Sequence, residues 1–119
     1  MQHIDTNEIA SMEQRFRARF INSLSGFKSA NLLGTVSAEG ITNLSMVSSA
    51  FHIGANPALL GIIIRPDTVP RDSLSNIRET NYFTINHVSS MILQQAHQCS
   101  ARYPQEQSEF DAVGLNAEF

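Results

Sequence analysis

Apolar residues fall along this chain in short runs, and each run is bounded by glycine, proline or small polar residues. Residues 30–37 are small and apolar and read as a strand. Ala38-Glu39-Gly40 then reads as a turn, with Gly40 supplying the positive φ that hairpins need. Residues 41–53 alternate imperfectly and predict one long strand. Asn43, Ser45, Val47, Ser49 and Phe51 would face one way, and Leu44, Met46, Ser48, Ala50 and His52 the other. Neither face is purely apolar, as expected of a strand that lines a cavity or an interface. Residues 54–57 break the pattern. Residues 58–64 are continuously apolar, which predicts a strand buried on both faces.

Helical spacing enters on either side of this β-rich stretch. Phe16 and Phe20 stand four apart and predict a short helix over residues 12–20. Arg15, Arg17 and Arg19 interleave with them and read as a solvated face beside two buried aromatics. Residues 1–12 ahead of that helix read as a loose arm, and residues 13–119 as a single domain. Pro70 suits the first turn of a helix reaching to about Glu79, and residues 82–88 alternate as another strand. Residues 89–99 favour a helix with Ile92, Leu93 and Ala96 on one stripe, and residues 108–112 favour a short one.

Composition narrows the classes. The chain has 119 residues, 42% hydrophobic and 16% charged, which suits one globular domain with one core. Its net charge is −3 and no basic patch with interleaved aromatics occurs, so a nucleic-acid partner is not expected. The longest apolar run is too short to span a bilayer, and the first residues lack the apolar core of a signal peptide, so no membrane association is expected. A lone cysteine, Cys99, cannot form an internal disulfide and fits a reducing compartment; a cytoplasmic protein is the expectation. His52, His87 and His97 lack metal-ligand spacing, and no Gly-rich dinucleotide fingerprint follows a strand.

Two groups of residues carry candidate chemistry. In the first, Arg65, Thr68, Arg71, Ser73 and Asn76 surround the start of the helix after Pro70. Arginine forks, a hydroxyl and free helix N–H groups match a phosphomonoester, with its charge near −2 and three acceptor oxygens. The run Arg65, Pro66, Thr68, Val69, Arg71, Ser73, Asn76 and Ile77 resembles the segment that holds the FMN phosphate in flavin reductase-like proteins of the FMN-binding split-barrel group. Asp72 departs from that pattern, since a carboxylate beside a phosphate repels it unless it points elsewhere.

The resemblance covers most of the chain and implies the rest of the reading. The fold is expected to be mainly β, an incomplete FMN-binding split barrel with a few helices. The second group, Asn43, Ser45, Ser48 and Ser49, matches the strand that lies along the flavin ring, where short hydroxyls and backbone N–H groups can meet its hydrogen-bonding edge. Ser100 and Ala101 match a further stretch close to the cofactor. Relatives continue beyond the point matched by the last residues here, so the chain reads as a shortened member. The implied function is an FMN-binding, flavin reductase-like oxidoreductase that passes hydride from NAD(P)H to flavin; the alternative is a non-catalytic flavin- or phospholigand-binding module. A homodimer with the flavin site at the interface is implied as well, and no catalytic acid–base pair or metal site is expected.

Overall fold

A computed structural model describes residues 3–65, 71–104 and 106–118. At its centre is an antiparallel sheet of three strands: β1 (Asn31–Val36), flanked by β2 (Thr42–Val47) and β5 (Thr84–His87). Gly40, at φ 85°, turns the chain from β1 into β2, and Ser37 N–H bonds the Ile41 carbonyl across the turn at 2.9 Å. The residue after Gly34 is Thr35, which sits opposite Asn43; Leu33 sits opposite Ser45 and Ile85. One face of the sheet therefore carries Asn31, Leu33, Thr35, Asn43 and Ser45, and the other Leu32, Gly34, Leu44 and Met46.

Both faces are covered. Against the first lies α3 (Asp72–Thr80), whose end is turned by Asn81 in the left-handed region at φ 63°. Against the second lie α4 (Leu93–Gln98), entered through a single 3-10 turn (Ser90–Ile92), and α5 (Glu109–Val113). Leu32, Leu44, Ala96, Cys99 and Val113 form the core between them. Glu109 ties α5 to the outer strand by accepting the Leu44 N–H at 2.9 Å, and the Thr42 and Ser108 hydroxyls meet at 2.7 Å beside it. Burial, with the Glu109 carboxylate nearby, pushes the Cys99 thiol above its ordinary range.

The expected single strand over residues 41–53 is in fact two. Ser48 and Ser49 break it, and the chain leaves the central sheet for a separate hairpin of β3 (Ala50–Ala55) and β4 (Ala58–Ile62). Asn56 and Pro57, joined by a cis peptide bond, make the hairpin turn. Gly61 lies opposite Phe51, and a Cβ there would come 2.5 Å from the Phe51 ring, so glycine is what lets the ring lie across β4. The apolar run expected to be buried on both faces is exposed instead: Leu60 and Ile63 are each 65% accessible. Hydrophobicity marks a surface that wants cover; it does not say that the same chain provides it.

The amino-terminal residues are also more ordered than a loose arm. Asp5 and Glu8 form a reciprocal capping box at 2.8 Å each way and start α1 (Thr6–Ser11). Glu13 then caps α2 (Gln14–Ser23) by accepting the Phe16 N–H at 2.9 Å. Arg17 reaches back to the Ala10 carbonyl at 2.8 Å and links the two helices. Neither helix buries a residue, and Phe16, expected to be buried, is exposed. No helix among the described residues is long and apolar enough to cross a membrane.

Candidate functional site

Three members of the first predicted group, Arg71, Ser73 and Asn76, lie at the start of α3. Arg71 is its N-cap residue and makes no side-chain cap bond. Its Nε is buried and has no hydrogen-bond partner among the described residues. A buried donor left unmet carries a desolvation cost, so this atom favours an acceptor brought in from outside. Ser73 lies in the same turn. Arg65 stands exposed beyond the end of β4, and Thr68, with Pro66, Val69 and Pro70, lies outside the described residues.

Ser73 is the meeting point of a polar network between α3 and the sheet. Asn43 Nδ2 donates to Ser73 Oγ at 2.9 Å and to Thr35 Oγ1 at 3.3 Å. The Ser45 and Ser73 hydroxyls are 2.9 Å apart, and Asn76 Nδ2 donates to Thr35 Oγ1 at 3.2 Å. Thr35, Asn43 and Asn76 are all buried. The predicted ring-facing strand is thus divided by the structure. Its first two candidates, Asn43 and Ser45, turn their side chains to the helix start.

The other two sit at the break between the sheets. Ser48 is exposed. Ser49 is engaged twice with the end of β4: its hydroxyl donates to the Ile63 carbonyl at 2.8 Å, and its own carbonyl accepts the Ile63 N–H at 3.4 Å. That clamp closes the hairpin two residues before Arg65 and so fixes where the arginine emerges. Ser100 and Ala101 are exposed in the turn after α4, where their N–H groups bond the His97 and Gln98 carbonyls. No hydrogen bond joins either to the Ser73 network among the described residues.

Two hollows flank this arrangement. A pocket of about 120 Å³ is lined by Glu39, Asp72, Glu106 and Glu109 together with Asn43 and Asn76. Four carboxylates make it hostile to an anion, and Asp72 belongs to it. A phosphate is accordingly favoured on the Arg71–Ser73 side of the helix start. A larger cleft of about 520 Å³ lies on the opposite face of the sheet, lined by Leu32, Leu44, Phe83, Phe110 and Leu115 among others. It includes none of the ten candidate residues. Among the described residues no cluster of His, Cys, Asp or Glu is arranged to hold a metal ion.

Thr35 was absent from the candidates, and Asn76 entered as a member of the phosphate group, not as a partner of the sheet. A threonine in mid-strand looks like any β-former, and nothing local points from Thr35 to a partner 41 residues on. The alternation did carry one usable signal, since it put Thr35, Asn43 and Ser45 on a single face once β1 and β2 were paired through Gly40.

A central antiparallel sheet, a separate hairpin and a helix packed on the sheet are consistent with an incomplete split barrel. The model of the flavin reductase like domain matches residues 24–119, and the chain belongs to that family. The whole chain superimposes, with a TM-score of 0.94 and 55% identity, on a protein from Shewanella frigidimarina NCIMB 400 assigned as a flavin reductase with a split barrel domain. It covers 59% of that chain. Over 97% of its length it also matches the 2-nitrobenzoate 2-nitroreductase NbaA of Pseudomonas fluorescens, with a TM-score of 0.76 and 25% identity, and covers 53% of that chain. An uncharacterized protein of Aquifex aeolicus (strain VF5) is 28% identical over 88 residues. Those residues are 45% of the Aquifex protein, so this chain spans about half the length of the relatives it matches.

Proposed function

We propose that this chain forms the flavin-holding part of an FMN-dependent oxidoreductase, in which hydride passes from NADH or NADPH to the bound flavin. One observation supports the reading above the others: the buried Arg71 Nε, unmet among the described residues, at a helix start whose N-cap side chain makes no cap bond, with the Ser73 hydroxyl in the same turn. That donor set suits a phosphate dianion in charge and in hydrogen-bonding capacity. In this reading Arg71, Ser73, Arg65 and Thr68 hold the phosphate. Ser48 and the backbone at the sheet break meet the ring, and Ser100 and Ala101 approach it from the turn after α4. When bound, the flavin supplies the two-electron chemistry, so the chain itself needs to bind, orient and shield rather than to move protons.

A second copy of the chain is part of the proposal. The accessible surface is 9337 Å², whereas a folded monomer of this mass exposes about 6,400 Å². The excess, roughly 2,900 Å², is above the roughly 1,000–2,500 Å² that one subunit of an obligate dimer commonly hides, so there is ample surface for a partner to cover. Much of the exposed apolar area is on the β3–β4 hairpin, at Phe51, Ile53, Leu59 and Leu60, next to Ser48 and Ser49. A partner seated there would close the ring end of the site.

Two measurements on the purified chain test the reading. Arg71→Ala should weaken FMN about ten- to a hundredfold and leave riboflavin almost unchanged, the value of a charge-assisted phosphate bond. Equal loss for both ligands removes Arg71 from the phosphate. Anaerobic mixing with NADH or NADPH should bleach the oxidised flavin absorption; flavin that stays oxidised with both nucleotides leaves a binding module and rejects the reductase.

A further inference from the structure

We infer that Asn43 is a positioning residue for the phosphate site, acting through Ser73, with Thr35 and Asn76 holding it in place. The inference rests on the phosphate reading above and assigns the strand residue Asn43 to that end of the ligand.

The argument starts from donors and acceptors. An asparagine amide nitrogen has two protons, and Asn43 directs one to Ser73 Oγ at 2.9 Å and one to Thr35 Oγ1 at 3.3 Å. Ser73 Oγ is therefore an acceptor toward the sheet, and its own proton is left to be donated elsewhere. Within the protein the acceptor at hand is Ser45 Oγ, 2.9 Å away. A phosphate oxygen is the stronger acceptor, because charge-assisted hydrogen bonds are about twice as strong as neutral ones. When an anion arrives, Ser45 can reverse and donate to Ser73 Oγ, which has two lone pairs to receive it and Asn43. Ser73 then gives its proton to the anion with every partner still satisfied and no heavy atom displaced.

Orientation of the Asn43 amide decides this outcome. Were its carbonyl turned toward Ser73, the serine proton would be drawn into the protein and the hydroxyl lost as a donor to the ligand. Thr35 Oγ1 receives the second amide proton, and Asn76 reaches the same oxygen from α3 at 3.2 Å. Thr35, Asn43 and Asn76 are at most 9% exposed, so water does not compete for these bonds. Sheet and helix together thus set the direction of one hydroxyl before any ligand is present.

A double-mutant cycle on the full chain tests it, with dissociation constants for FMN and riboflavin read by flavin fluorescence. Asn43→Ala and Ser73→Ala should each weaken FMN by about tenfold and leave riboflavin within about twofold, and the double variant should be no weaker than Ser73→Ala alone. Full additivity, or equal loss for the two flavins in Asn43→Ala, overturns the positioning role. Thr35→Val provides the second route should Asn43→Ala not fold, since it keeps the side-chain shape and removes the hydroxyl that accepts from Asn43 and Asn76. It should lower the preference for FMN by about threefold, and Thr35→Ser should restore it. An unchanged preference in Thr35→Val overturns the inference. A wild-type chain that binds both flavins alike, or neither, overturns the phosphate reading itself. A wild-type chain that prefers FMN while the cycle is additive overturns only the role of Asn43.

Discussion

The central sheet and the β3–β4 hairpin are built from similarly apolar strands and end in opposite situations. Every residue from Asn31 to Thr35 is buried, because α3 lies on one side and α4 with α5 on the other. In the hairpin, Ala58, Leu59 and Leu60 are all exposed, although this is the most apolar run in the chain. Strand composition therefore does not distinguish a buried strand from an exposed one here; the helices packed on the sheet do. The buried members of the polar network, Thr35, Asn43 and Asn76, sit on the covered side of that division, and the sheet break marks the boundary between the two regions.

The largest test of the contrast is in the sheet. Leu33 is 1% exposed on the α3 face, so Leu33→Ala should lower unfolding free energy by about 2–5 kcal/mol in urea titrations. A loss below about 1 kcal/mol would mean that α3 does not pack on the sheet in solution. In the hairpin the expected effect is on assembly. Leu60→Asp should leave the far-UV circular dichroism spectrum unchanged and weaken self-association by about tenfold or more in light scattering. A wild-type chain that is already monomeric, or a variant that associates equally well, would show that no second copy covers this face.

The smallest expected effect concerns the amino-terminal helices, which share the exposure of the hairpin. The N–H groups of Arg15 and Phe16, with Arg17 nearby, hold the Glu13 carboxyl below its ordinary range. A depressed carboxylate pKa contributes stability that is present above the unfolded value and is lost as pH falls through the folded one. Helical ellipticity should thus decline slightly as pH falls below about 4, and Glu13→Gln, which does not titrate, should remove that decline. An unchanged acid limb in the variant would show that the cap is not the group responsible.

What could be read from the sequence follows from which signals are local. The turn at Gly40, the helix after Arg71 and the strand at Thr84 each announce themselves within a few residues, and all three are present. So does Ser73, whose motif runs through the start of α3. The break at Ser48 and Ser49 does not, because the alternation keeps its phase from Thr42 to His52 and nothing in the pattern says that hydrogen-bonding partners change. The engagement of Asn43 with Ser73 was equally hidden, since it depends on α3 crossing the sheet at that strand pair, a contact spanning 30 residues.

The clamp between Ser49 and Ile63 has a consequence for how this fold can vary. Two bonds at the base of the hairpin determine where the chain leaves it, so the position of Arg65 does not depend on what lies beyond them. The tip at Asn56 and Pro57 can lengthen, shorten or change its side chains, and the arginine will still return to the same place. Side-chain changes at the tip are therefore expected to leave the base of the hairpin in place.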